Sequence, residues 1–402
     1  MKMLNNHNHT YHKAILYLLS CCLLLSSCVE EFDVETEDFE SILVVNATIT
    51  NELKRQEVLL TRTFRFEENG PAAEQGAIVK IIEDETTTIP FDEIFPGSYE
   101  SIIPFTVVPN KNYQLSIETV EGRVYLSKIV QLPPVTSNIE RVFPMRMTNN
   151  DGVEGVGLFV DSFDETGSSK FYRYQFEETY KIVARFWVPV DLTPSLEFVE
   201  RSENQRICFN NRVSEDILIT DTNTLNEDRV SGFFLRFIQA EDIRVSERYS
   251  ILVRQFVQSQ EANGFYQTLS NFSQSESLFS QVQPGFISGN ITSQTNPNER
   301  VLGFFNVASV KEERIFFDRE EFLNDLPRFS PGCDRIIPRP NTGETPESFD
   351  RRLRELIRTG SIKFLEEIRG NEPGSGVLVF VPRPCGDCTV FGSSAVPDFW
   401  VD

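Results

Sequence analysis

The chain has 402 residues, with 38 basic side chains against 60 acidic ones and three histidines, His7, His9 and His12. A net charge of −22 repels nucleic acid and anionic headgroups, and no basic stripe reverses that judgement. Beyond residue 12 no histidine remains, which excludes Ser-His-Asp and Cys-His nucleophiles there and removes the commonest zinc ligand.

The opening MKMLNNHNHTYHK carries Lys2 and Lys13 and no acid, and an apolar run from Ala14 to Leu25 follows. A basic head and an apolar core of about a dozen residues predict a secretory signal, too short to span a bilayer as a mature helix. Leu25-Ser26-Ser27-Cys28 resembles the bacterial lipobox: an aliphatic residue, two small ones, then the cysteine that takes a diacylglycerol thioether. Cys28 is therefore the expected lipidation site and the first residue of the mature protein, with 1–27 removed as the leader. Two or three acyl chains anchor stably, since each buried methylene contributes about 0.8 kcal/mol. Loss of Lys2 and Lys13 leaves 36 basic against 60 acidic residues, a balance of −24.

Residues 28–40 hold Glu30, Glu31, Asp33, Glu35, Glu37, Asp38 and Glu40, a density of like charge that predicts an unfolded, extended tether. Glu30 and Glu31, so close to Cys28, also look like the acidic export signal of surface lipoproteins in Bacteroidota. The expected location is the outer membrane, anchored by lipid and facing the cell surface, with the periplasmic face as the alternative. No second apolar run approaches the length of a membrane span.

From Ser41 the pattern is β. ILVVNATI (Ile42 to Ile49) is β-branched and apolar, and EVLLTRTFRF (Glu57 to Phe66) alternates toward its end. ENGPAAEQG supplies turn residues, AIVKIIED another strand, and FPGSYE a turn between aromatics. NYQLSIET and GRVYLSKIV alternate with period two about Val120-Glu121-Gly122, close to a short hairpin loop. Residues 41–134 thus predict a small sandwich, Ig-like or transthyretin-like, ending at Pro133-Pro134.

Residues 135–402 predict a larger β-rich domain with two or three helices. VGLFVDSF, KFYRYQFEETYKI, its continuation KIVARFWVPV, RYSILVRQFV and GVLVFVP read as strands. In the second of these, Tyr172, Tyr174 and Phe176 share one face while Arg173, Gln175 and Glu177 share the other. After Ser259, a candidate cap, the period becomes helical through Ala262, Phe265, Tyr266, Leu269 and Phe272. That aromatic stripe reads as core packing rather than a ligand box. A second helix is signalled by Thr345 as cap, Pro346 at the first position and Gly360 as stop. Phe349, Leu353, Leu356 and Ile357 are its expected buried face, and Arg351, Arg352, Arg354 and Arg358 a solvated one.

With Cys28 acylated, four mature cysteines remain, Cys208, Cys333, Cys385 and Cys388, an even number for an oxidising compartment. Cys385-Gly-Asp-Cys388 has the spacing of a zinc or redox motif. A zinc site wants a second pair or histidines, and a thioredoxin-like motif opens a helix in a βαβ unit. Here the pair follows Pro382 and Pro384 near the C-terminus, so structural disulfides are expected. Three connectivities exist, and the pair bridging outward or to each other both stay open. DTNTLNEDRVSG fails as a calcium loop, with Asn226 where glycine is needed and Gly232 where the bidentate glutamate belongs. GNIT at Gly289 matches a glycosylation sequon, which means little in a bacterial lipoprotein. No metal site and no cofactor are implied.

Several segments together resemble one Bacteroidota lipoprotein family, catalogued as domain of unknown function 4249. They are the lipobox and acidic start, ILVVNATIT, the NYQLSIET-EGRVYLSKI hairpin, RYSILVRQFVQSQEANGFYQTL, ISGNITSQTNPNERVLGFFNVAS and the ending CGDCTVFGSSAVPDFW. The ending departs modestly, with Gly-Ser-Ser-Ala where relatives tend to carry Gly and Asn. The resemblance implies an outer-membrane lipoprotein encoded beside a TonB-dependent transporter and no established activity. The expected function is therefore a non-catalytic binding or interaction component of such an uptake system, its small-molecule or peptide ligand unknown. A stand-alone glycan- or peptide-binding protein is the alternative, although Trp187 and Trp400 are the only tryptophans and Trp400 reads as a packing anchor. A carboxylate-pair hydrolase comes third.

Overall fold

The computed structural model describes residues 41–65, 68, 70–134, 137–201, 205–274, 287–368 and 376–402. Cys28, Glu30, Glu31 and the acidic tether lie outside the described residues. The protein is mainly β, as expected, and its first strand shows why. In Leu43–Thr50, Leu43, Val45, Ala47 and Ile49 are wholly or almost wholly buried, while Val44, Asn46 and Thr48 point to the other face. The strand pairs antiparallel with Glu57–Arg62 and parallel with Val301–Asp318.

Among the described residues fifteen strands share one sheet. Its main path runs Ile207–Val213, Phe171–Val183, Arg248–Val257, Val301–Asp318, Leu43–Thr50, Glu57–Arg62, Ser98–Ser101, Thr87–Phe95, Ile78–Glu83, Asn112–Glu118, Val124–Ser127 and Ile291–Ser293. The long strand Val301–Asp318 joins the two regions. Val301 to Ala308 lie beside Leu43–Thr50, and Ser309 to Asp318 lie beside Arg248–Val257. Asn51 sits at the changeover, its Oδ1 accepting the Val310 amide at 2.7 Å. The chain leaves the N-terminal strands after Val130–Gln131, close to Pro133-Pro134, but their sheet also takes in residues 291–293 and 301–308.

The N-terminal strands curl about one core that runs from Leu43, Val58 and Tyr99 to Tyr113, Tyr125, Ile291 and Phe305. The expected hairpin is present, with Gly122 at φ 77° and Glu118 paired with Val124. The two ends of this curl meet at Gly289-Asn290. The Asn290 side chain donates to the Phe305 carbonyl at 2.9 Å and accepts its amide at 2.8 Å, as a neighbouring strand would. A Cβ on Gly289 would stand 1.6 Å from the Gly303 carbonyl oxygen, so only glycine permits the approach. The sequon asparagine is thus buried and its amide already committed.

A three-stranded sheet of Asn138–Thr148, Glu154–Phe163 and Arg229–Gln239 packs Val142, Val156, Leu158, Leu235 and Ile238 onto Tyr172, Tyr174, Ile251 and Val253. The strand Phe171–Val183 stops earlier than KIVARFWVPV suggests. The chain turns at Arg185-Phe186, where the Phe186 amide donates to the Cys385 carbonyl, and extended structure resumes at Val190. The capped helix Pro346–Arg358 packs Phe349, Leu353, Leu356 and Ile357 with the hairpin Ile362–Ile368 and Val377–Pro382 in a third, smaller core. Trp400 anchors the tail, its ring 4.8 Å from Phe209 and 5.5 Å from Phe316.

The titrating groups are arranged so that neutral pH changes little. Burial, with the carboxylate of Glu299 2.6 Å away, pushes the Tyr125 hydroxyl up to about 12. Burial likewise raises Tyr99, Tyr113, Tyr172, Tyr174, Tyr180 and Tyr249. A raised folded value means stability that is whole below the unfolded value, about 10, and lost as pH rises through the folded one. Burial pushes the Glu299 carboxyl up, but hydrogen bonds from Tyr125, Arg123 and Ser293 outweigh it and hold it low. That contribution is present above the unfolded value, about 4.3, and lost as pH falls. Among the described residues no histidine titrates between these limits, and the four described cysteines are disulfide-bonded. Calorimetry is expected to show a melting temperature that is flat from about pH 6 to 9 and falls steeply above about pH 10. A sigmoidal step near pH 6.5 would contradict this assignment.

Candidate functional site

The helix Gln260–Gln274 begins behind Ser259, whose Oγ accepts the Ala262 amide at 3.1 Å. It lies on the sheet face that Val44, Asn46 and Thr48 share, and the Tyr266 hydroxyl reaches Thr48 Oγ1 at 3.5 Å. Ala262 is fully buried in that contact. The next residues of the stripe do not close against the sheet. Phe265 meets Phe304 at 5.2 Å and Tyr266 at 5.5 Å, and a cavity of ≈ 390 Å³ remains beneath. Phe265, Tyr266 and Leu269 form one wall, Val44, Leu302 and Phe304 another, and Arg173, Gln175, Glu215 and Asp216 the polar remainder. The aromatic stripe read as core packing is therefore core at Ala262 and cavity wall one turn later. The physical reason is that the strands below present Arg173 and Asn46 there instead of apolar side chains.

Arg173 gives the cavity its character. Its guanidinium carbon sits 4.1 Å from the ring centre of Phe256 and 4.8 Å from that of Tyr266. Neither a carboxylate nor a carbonyl among the described residues pairs with it, and its buried Nε has no hydrogen-bond partner. Asn306 lies further along the Phe304 face, fully buried, and neither its Oδ1 nor its Nδ2 has a partner among the described residues. A buried polar group without a partner costs about 1–3 kcal/mol, so two on one face ask for an explanation.

Two other concavities place arginines against carboxylates instead. A ≈ 270 Å³ cavity beside Cys333 and Cys385 holds Arg185, Glu247 and Arg328, but Glu247 pairs with both arginines. An open groove of ≈ 930 Å³ is floored by Glu178, which accepts from Arg236 at 2.6 Å, Tyr249 at 2.7 Å and Arg244 at 3.5 Å. In both, the arginines nearest that carboxylate are paired with it; the remaining charges of the groove, Arg212, Glu215 and Asp216, are exposed to water.

The four cysteines form two disulfides, Cys208–Cys388 and Cys333–Cys385, so both members of the CxxC pair bridge outward. Burial raises the Asp387 carboxyl between them, but hydrogen bonds from Thr389 and Arg383 outweigh it and keep the group low. It serves as a cap for the turn Cys388–Val390. Of the four helix arginines expected on a solvated face, Arg352 pairs with Glu344, Arg354 with Asp350 and Arg358 with Glu355. Among the described residues no group of three His, Cys, Asp or Glu side chains is arranged to hold a metal, and no helix is long and apolar enough to cross a membrane.

Comparison with known families matches residues 29–314 to a domain of unknown function, DUF4249. The chain belongs to this family. No curated protein matches it. The match includes every residue of the helix cavity and ends inside the strand Val301–Asp318. Cys333, Cys385, Cys388 and the ending CGDCTVFGSSAVPDFW lie beyond the matched part of the family.

Sequence reasoning placed Arg173 on the face opposite Tyr172 and Tyr174, and the structure keeps it there. It missed that this face is roofed. The available signal was an arginine at the centre of an aromatic strand, together with a helix carrying more aromatic surface than one contact needs.

Proposed function

We propose that this DUF4249 protein is a lipid-anchored, non-catalytic component of the bacterial outer membrane that binds a small ligand as accessory to a TonB-dependent transporter. The cavity under the helix Gln260–Gln274 carries the reading. Its volume falls within the usual range for small-molecule sites, its walls are mostly aromatic and aliphatic, and it holds one unpaired cation. The anchor is supported by the lipobox at Cys28 and by a family match that begins one residue later. Glu215 and Asp216, the two carboxylates that line the cavity among the described residues, are consecutive in the chain and both exposed, which favours binding over hydrolysis.

Purification of the tagged protein from native membranes in mild detergent tests this directly. A transporter is expected to co-purify, and mass spectrometry is expected to find Cys28 acylated at the amino terminus. Protein that never retains a transporter, or keeps its leader, overturns the reading.

A further inference from the structure

We propose that the cavity under the helix Gln260–Gln274 selects an organic acid, a single carboxylate on an aromatic or branched apolar body, with Arg173 as the group that holds the carboxylate. The inference rests on the ligand-binding reading above and deepens it.

Size comes first. At about 30 Å³ per water, ≈ 390 Å³ holds on the order of a dozen waters, which suits a one-ring acid rather than a sugar chain. Phe265, Leu269 and Phe304 offer such a body apolar surface. Charge comes next. A guanidinium is a planar fork that matches a carboxylate with two parallel hydrogen bonds. Contact with the rings of Phe256 and Tyr266 restrains Arg173, so less orientational freedom is left to lose on binding. Its Nε is buried away from the cavity, but no side chain or carbonyl among the described residues takes its two Nη groups, so an incoming carboxylate can accept from both.

Competing ligand classes fit less well. A cation would meet Arg173 where the face of Tyr266 is already occupied by positive charge. A neutral molecule would leave the guanidinium unpaired in a drier site than before. Glu215 and Asp216 are exposed, so water and salt screen their repulsion of an anion seated deeper.

The test is calorimetric titration of the mature protein in lipid nanodiscs with three probes that share one body: 3-phenylpropionate, 3-phenylpropanol and 3-phenylpropylamine. The acid is expected to bind roughly 10- to 100-fold tighter than either of the others, the range of a hydrogen bond to a charged group. Arg173→Met, which keeps an apolar stem against Phe256, is expected to bring the acid down to the alcohol's affinity. Leu269→Trp, which fills the cavity from the helix, is expected to abolish binding of acid and alcohol alike. Alcohol or amine binding as tightly as the acid overturns the choice of an anion while leaving a ligand site in place. Acid affinity unchanged in Arg173→Met overturns the role of that residue. Failure of all three probes at millimolar concentration overturns the site itself. The wild-type comparison of probes decides the matter even where a variant fails to fold.

Discussion

Arg319→Ala is expected to destabilise the protein by about 3–5 kcal/mol, the range for stripping a partner from a buried charged contact. Arg319 is 1% exposed, at the end of the long strand. One Nη donates to the carbonyls of Ala240 at 2.7 Å and Val245 at 3.2 Å, the other to those of Leu326 at 2.9 Å and Pro327 at 2.8 Å. Among the described residues no ion pair offsets its burial, and burial followed by repulsion from Arg328 lowers its pKa. The four carbonyls do. Removing the guanidinium orphans them together and unties the turn after Gln239 from the loop at Leu326. Arg319→Lys recovers only part of the loss, because a point charge with three donors cannot fork to both sides. Urea titration at constant slope measures the effect. A shift below about 1 kcal/mol would show that water replaces the fork.

Loss of the disulfides is expected to be comparably costly and unequal. Cys208–Cys388 closes a separation of 180 residues and Cys333–Cys385 one of 52. Chain-entropy arguments give about 5 and about 4 kcal/mol for loops of these lengths. The first bridge also holds the tail. Cys208 belongs to the edge strand Ile207–Val213, where Phe209 exchanges backbone hydrogen bonds with Ser393 at 2.7 and 2.9 Å and its ring packs on Trp400. Replacing Cys208 and Cys388 with serine is therefore expected to lower the urea midpoint more than replacing Cys333 and Cys385. It is also expected to open a protease site after residue 388. Equal midpoints, or a tail that stays resistant, would place the stability of this end in packing alone.

Much of the fold was legible where one face of an element is buried and the other is not. ILVVNATI, the hairpin about Gly122 and the Thr345-capped helix all carry their period in the residues themselves. Asn138–Thr148 was not legible because Pro144 interrupts it. The structure tolerates the proline because this strand has a partner on one side only. The strand Val301–Asp318 hid for a different reason. From Phe304 to Val310 it is buried on both faces, so no alternation survives in GFFNVASV. The cavity was out of reach because its floor and roof, Arg173 and Phe265, meet only through long-range pairing of strands. The CxxC pair showed that bridges exist, yet their partners depend on which loops the tail crosses.

The shared strand also limits how this family can change. Its first eight residues complete one hydrophobic core and its last ten complete another, without a linker between. Recombination cannot exchange one half for a foreign module, because any crossover would have to cut through a continuous ladder of backbone hydrogen bonds. Leu302, Gly303 and Phe304 belong to that same strand. A displacement of that strand from either core is thus felt at the cavity.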